Sequence, residues 1–63
     1  MLANIRRRRD ELGYSQDYMA HKLHISQNAY SKIETGRAKL NVRRLFEIAE
    51  VLLTTTDNFI EKN

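Results

Sequence analysis

The segment from Ser15 to Gly36 constrains the fold most, because it predicts two short helices joined by a tight turn. Each helix follows a serine that is itself followed by glutamine, and serine is a favoured N-cap whose hydroxyl accepts a hydrogen bond from an unpaired backbone N–H. Apolar residues at helical spacing come after each cap: Met19, Ala20 and Leu23, then Ala29, Tyr30 and Ile33. Because Ala20 is small, the two helices can cross closely, which predicts a helix-turn-helix arrangement.

The rest of the chain predicts three more helices and no strand. With the two above, the predicted helices cover about 2–12, 16–23, 27–35, 42–53 and 55–60, with Asn41 and Thr55 as further N-caps. There is no proline, internal repeat or low-complexity linker, so residues 1–63 are predicted to form one all-α, five-helix domain. Leu2, Ile5 and Leu12 are expected to face inward, as are Leu45, Ile48, Ala49, Leu52, Phe59 and Ile60.

The amino-acid composition excludes several classes of protein. The chain has no cysteine, so disulfides and thiolate metal sites are excluded. Its apolar runs are far shorter than the roughly 20 residues that cross a bilayer, and no secretory signal is visible, which makes a cytoplasmic protein the default expectation.

Charge is distributed unevenly. Residues 1–44 hold ten Lys and Arg against four acids, whereas residues 45–63 hold one Lys against four acids, so a net charge of +6 precedes one of −3. This asymmetry favours a surface that faces a polyanion, although a small protein can also show it by ordinary scatter.

The chain resembles the Cro/C1-type (XRE) helix-turn-helix family of phage-repressor-like DNA-binding domains. The residues that carry the resemblance are Gly13, Ser15-Gln16, Ala20, the turn 23–26, the run 30–36 and the pattern 45–49. The resemblance implies a lambda-repressor-like fold in which the second helix of the motif enters the DNA major groove. Three residues depart from the family pattern. His24 and Leu53 stand where the family usually has glycine, and Tyr30 stands where it more often has an aliphatic residue.

Base-reading residues are expected at the start of helix 3. By resemblance Gln27, Asn28 and Lys32 match base-reading positions, and Ser31 lies beside them. Gln and Asn can bind adenine through two hydrogen bonds, and Lys can donate to guanine. The alternative is an ordinary solvated helix face.

Phosphate contacts are expected at residues that flank this helix. Gln16 opens helix 2, where free backbone N–H groups and the helix dipole favour an anion, and its alternative is a capping role alone. The resemblance adds Arg8, Arg37, Lys39 and Arg43, each of which can instead be a solubilising surface charge.

A partly buried ion pair is expected between Arg9 and Glu34. Arg9 lies on the apolar stripe of helix 1, where a charge needs a partner, and the family pairs an arginine with a glutamate at these two positions. The alternative is two exposed charges. Tyr30 is expected to fill the core with its hydroxyl near the surface, in preference to stacking on a base.

These residues predict a sequence-specific transcription regulator, most simply a repressor, that binds double-stranded DNA. Such domains usually bind as two-fold pairs on half-sites about one helical turn apart. Here the dimer surface is expected at the helix 4–5 end, with Phe59 or Ile60 shared between subunits. The alternative function is an antitoxin or adaptor whose main contact is a protein partner, which an exposed apolar patch on helices 4 and 5 would favour.

Other functions are disfavoured. No nucleophile–base pair or phosphate loop indicates an enzyme, and no cofactor site is evident. Asp17, His21 and His24 have the wrong geometry for a metal site, since His24 falls in the turn. Arg6 to Arg9 surround helix 1, which argues against membrane adsorption.

Overall fold

The computed structural model describes residues 1–56 and 59–60, which contain four α-helices and no strand. The helices are α1 (Leu2–Glu11), α2 (Gln16–Leu23), α3 (Gln27–Glu34) and α4 (Val42–Val51). The bounds of α2 agree with the prediction, whereas α1 and α3 end one residue early and α4 two residues early. The predicted fifth helix, from Thr55 to Ile60, includes residues 57–58, which lie outside the described residues.

The three predicted N-caps that open α2, α3 and α4 are confirmed. In each case a backbone N–H of the first turn donates to the cap side chain: Tyr18 to Ser15 Oγ at 2.9 Å, Ala29 to Ser26 Oγ at 3.0 Å and Arg44 to Asn41 Oδ1 at 2.7 Å. A cap of this kind typically contributes about 1 kcal/mol, so the polar residues before each helix set where it begins.

All four helices end in the same way, with one residue in the left-handed backbone region. These residues are Gly13, His24, Gly36 and Leu53, with φ of 73°, 59°, 79° and 57°. After each, the next N–H donates to a carbonyl five residues back: Tyr14 to Arg9 at 3.0 Å, Ile25 to Ala20 at 3.0 Å, Arg37 to Lys32 at 2.8 Å and Thr54 to Ala49 at 3.0 Å. The prediction that α4 runs to Leu53 is therefore wrong, because Leu53 adopts the glycine-like turn that ends the helix.

The core lies between the helix-turn-helix pair and the flanking helices. Fully or nearly buried are Ile5, Met19, Ala20, Leu23, Tyr30, Ile33, Ile48, Ala49, Leu52 and Phe59. The expected inward residues Leu2, Leu12 and Leu45 are partly buried and pack at its edge. Helix α2 contacts both α3 and α4, and α1 contacts α3, so α3 is held from two sides.

Two expectations about apolar residues are wrong. Ile60 is about half exposed and does not pack into the core. The Tyr30 hydroxyl does not reach the surface, because the whole side chain is buried and the hydroxyl donates to a buried carboxylate. Phe59 is buried as expected, which removes it from any surface that a monomer presents.

Candidate nucleic-acid interface

The outward face of α3 presents polar side chains over its first two turns. Gln27, Asn28 and Lys32 are exposed, and Ser31 is partly exposed between them. The spacing of these four residues puts them on one side of the helix. Gln27, Asn28 and Lys32 make no side-chain hydrogen bond or ion pair within the part of the chain that the structure describes, so their polar groups are available to a ligand.

The inward face of α3 is fixed by a network around the buried carboxylate of Glu34. Arg9 of α1 donates from Nε to Glu34 Oε2 at 2.7 Å and from Nη2 to Oε1 at 3.2 Å. Gln16 of α2 donates from Nε2 to Oε1 at 3.2 Å, and Tyr30 donates from its hydroxyl to Oε2 at 2.5 Å. One carboxylate therefore joins α1, α2 and α3.

The electrostatics of this network keep Glu34 ionised. Burial alone would raise the pKa of Glu34, but hydrogen bonds from Arg9, Tyr30 and Gln16 outweigh it and hold the pKa below its ordinary value. The hydrogen bond with Glu34 raises the pKa of Arg9. Burial, and then the bond to Glu34, raises the pKa of the Tyr30 hydroxyl, so it remains a donor.

Arg6, which was not among the predicted site residues, also contacts the end of α3. Its Nη1 donates to the Glu34 carbonyl oxygen at 2.6 Å. Arg6 precedes Arg9 by three residues on α1, so both project toward the same neighbouring helix. That spacing is the signal that was available in the sequence. Two arginines of the run, Arg6 and Arg9, therefore hold the C-terminal end of α3.

Gln16 lies at the start of α2, as predicted, but its side-chain amide is already bonded to Glu34. Its backbone N–H and that of Asp17 have no hydrogen-bond partner among the described residues, as is usual in a first helical turn. The groups left for an anion are therefore these N–H groups, while the Gln16 side chain ties this end of α2 to the α3 network.

The predicted phosphate-binding cations lie in different settings. Arg37 and Lys39 are exposed in the loop after α3, and Arg43 is exposed on the first turn of α4. Arg8 instead donates from Nε to the Leu52 carbonyl oxygen at 2.9 Å and from Nη2 to that of Leu53 at 3.4 Å. Arg8 therefore satisfies carbonyl groups at the end of α4.

Arg44, which was also not among the predicted site residues, has a similar internal contact. Its Nη1 lies 3.4 Å from the Leu23 carbonyl oxygen at the end of α2 and 3.3 Å from Glu47 Oε1. Arginines thus contact the C-terminal ends of α2, α3 and α4, where the helix dipole favours a cation. The excess of positive charge in residues 1–44 consequently overstates the charge that is free for a ligand.

Neither a metal-ion cluster nor a membrane-spanning helix is found among the described residues. No group of three or more His, Cys, Asp or Glu among the described residues is placed to hold a metal ion. Within the same residues, no helix is both long enough and apolar enough to cross a membrane.

Comparison with known proteins gives the family. A family model described as Helix-turn-helix (HTH_3) matches residues 5–59, which covers all four helices except the first residues of α1. No curated protein and no solved structure gave a match. The capped α2–α3 pair, the turn between them and the match over most of the chain lead to one conclusion: the chain belongs to the Cro/C1-type (XRE) helix-turn-helix family of DNA-binding transcription regulators.

Proposed function

We propose that this chain is a sequence-specific repressor that binds operator half-sites in double-stranded DNA as a dimer, with α3 in the major groove. One observation carries the proposal. The inward face of α3 is fixed by the Glu34 network, while the polar groups on its outward face are uncommitted. A reading helix needs both properties, because a rigid support places its side chains at constant positions against the base edges.

The proposed base-reading residues are Gln27, Asn28, Ser31 and Lys32. The amides of Gln27 and Asn28 suit adenine, where each can donate to N7 and accept from N6, and the Lys32 ammonium suits guanine O6 and N7. Ser31 can bond to any base edge within reach. A good two-bond contact contributes about 1–3 kcal/mol of discrimination against the wrong base.

The proposed phosphate contacts are the α2 N-terminus at Gln16 and the exposed cations Arg37 and Lys39. The two cations follow α3 directly, so they flank the proposed reading helix on its C-terminal side. Arg8 is left out of this set because its guanidinium is engaged at the end of α4. Arg43 lies on the outward face of α4 beside the exposed apolar residues Val42 and Phe46, and its proposed partner is a carboxylate and not a phosphate.

The test of this function is selection of bound sequences from random duplex DNA at physiological salt. The expected result is an enriched inverted repeat whose half-sites lie about ten base pairs apart. Lys32→Ala should then relax the preference at one position of each half-site and weaken binding to the selected duplex by about 1–3 kcal/mol. Lys22→Ala, which removes the same charge from an exposed site on α2, is the matched control and should leave the preference unchanged.

Two results would contradict the proposal. Binding without enrichment, with a steep dependence on salt, would leave only contacts to the phosphate backbone. Enrichment that Lys32→Ala, Gln27→Ala and Asn28→Ala all leave unaltered would move base reading away from α3.

A further inference from the structure

The outward face of α4 carries exposed apolar side chains that neither the core nor the proposed DNA contacts use. Val42 is 67% exposed and Phe46 53% exposed, and they lie four residues apart on one side of the helix. Leu53, just beyond the end of α4, is 68% exposed. A large exposed aromatic residue between two exposed aliphatic residues is typical of a surface that contacts another protein.

The charges on either side of Phe46 indicate which partner fits this surface. Arg43, Phe46 and Glu50 follow one another at spacings of three and four residues, so they form a single stripe along α4. Within the described residues, neither the Arg43 nor the Glu50 side chain has an ion-pair or hydrogen-bond partner. The stripe therefore has a positive end, an apolar centre and a negative end.

We propose that this stripe, the α4 stripe, pairs with the α4 stripe of a second copy of the chain. If two α4 helices lie antiparallel about a two-fold axis near Phe46, Arg43 of each copy faces the partner's Glu50, and both unpaired charges are satisfied. The two Phe46 rings then meet near the axis, and Val42 lies beside the end of the partner's α4, where Leu53 is exposed. A two-fold pair requires a self-complementary surface of this kind.

The expected association is weak. A ten-residue helix is about 15 Å long, so one helix pair buries much less than the roughly 800 Å² per partner of a standard interface. We expect a dissociation constant on the order of 0.1 mM without DNA. The pairing deepens the proposed function, because it supplies the dimer that the half-sites require, but it can be tested without DNA.

The experiment is sedimentation equilibrium of the full chain from about 10 µM to 1 mM at low salt. The unsubstituted chain should shift from monomer to dimer over this range. Phe46→Ala should weaken association by at least about tenfold, as expected for a central aromatic contact. Tyr18→Ala, which truncates an exposed aromatic residue on α2, should not change it.

A charge exchange makes the test specific for antiparallel pairing. Arg43→Glu and Glu50→Arg should each lose the dimer, because each sets like charges against one another across the axis. An equimolar mixture of the two variants should associate at least as well as the unsubstituted chain, since every facing pair in the mixed dimer is again of opposite charge. Circular dichroism of each variant separates loss of association from loss of folding.

Three outcomes would overturn the inference: a chain that stays monomeric at 1 mM, a dimer that Phe46→Ala does not weaken, or two charge variants that do not associate when mixed. The first would leave the α4 stripe to a partner of different sequence. Each of them concerns pairing in the absence of DNA, so the selection experiment above can still succeed or fail separately.

Discussion

Arg9 and Glu34 meet through two parallel hydrogen bonds, Nε to Oε2 at 2.7 Å and Nη2 to Oε1 at 3.2 Å. The Glu34 side chain is 1% exposed and that of Arg9 14% exposed, so water screens the pair only weakly. A planar guanidinium facing a carboxylate in this way fixes direction as well as distance. The pair therefore sets the orientation of α3 relative to α1.

We predict that Glu34→Gln lowers the free energy of unfolding by about 3–5 kcal/mol, because it leaves the Arg9 charge poorly compensated in a buried site. A 63-residue domain has a total of only about 3–9 kcal/mol. The predicted loss is therefore a large fraction of the total stability. Urea denaturation followed by circular dichroism measures the change.

The matched control is Glu47→Gln, which breaks a partly exposed ion pair, with Glu47 Oε1 3.3 Å from Arg44. Exposed pairs contribute about 0–1 kcal/mol, so this variant should unfold near the parent. If the two variants lose equal stability, the Arg9–Glu34 pair has no special role in holding α3.

The free energy of unfolding should also depend on pH through the Glu34 carboxylate. The folded-state pKa of Glu34 is lowered, so Glu34 binds its proton less readily in the folded state than in the unfolded chain, whose pKa is about 4.3. Its contribution is therefore complete above the unfolded pKa and is lost as pH falls through the folded pKa. The difference in unfolding free energy between the parent and Glu34→Gln should narrow below about pH 4. An unchanged difference between pH 7 and pH 3 would mean that Glu34 does not titrate with folding.

Much of the fold was accessible from the sequence because its signals are local. Ser15, Ser26 and Asn41 each cap a helix within three residues of chain, and Gly13 and Gly36 end helices where a left-handed residue is needed. The Arg9–Glu34 contact spans 25 residues, and it was expected only because the resemblance placed the two residues together.

The side-chain contacts that were not predicted depend on groups that local sequence patterns do not reveal. Arg8 bonds to the Leu52 carbonyl oxygen 44 residues away, and no local pattern in the run of arginines predicts that contact. The buried Tyr30 hydroxyl has a different cause. It donates to the Glu34 carboxylate one turn later, and Arg9 of α1 bonds to the same carboxylate inside the core, whereas the sequence alone predicts a hydroxyl near the surface. A count of charges along the chain therefore does not distinguish arginines that bond within the fold from arginines that are exposed to a ligand.

We predict that His24→Gly raises the free energy of unfolding by about 0.5–1 kcal/mol. His24 is exposed with φ of 59°, a conformation that costs a non-glycine residue about 1–2 kcal/mol, part of which is offset by the greater freedom of glycine in the unfolded chain. Thermal denaturation measures the shift, which should be a few degrees upward.

The reverse substitution at a glycine is the matched control. Gly13 has φ of 73° and no atom within 4 Å of the position that a Cβ would take, so Gly13→Ala tests backbone strain without a steric clash. It should lower stability by about 1 kcal/mol. If His24→Gly is instead destabilising, the imidazole must make a stabilising contact that outweighs the strain.

The dependence of DNA affinity on salt distinguishes the cations that contact phosphate from those that do not. If Arg37 and Lys39 each contact a phosphate, Arg37→Ala and Lys39→Ala should each lower the magnitude of the slope of log K against log salt concentration by about 1. They should weaken binding to selected and unrelated duplexes by similar factors, because a phosphate contact carries no sequence information.

Lys22→Ala, an equal loss of charge on α2, should leave the slope nearly unchanged. Arg8→Ala should lower folding stability through the lost bonds to the end of α4, with little effect on the slope for the folded protein. Fluorescence anisotropy over a salt series measures all four slopes. Equal changes for Lys22 and Arg37 would mean that net charge alone, and no particular contact, governs binding.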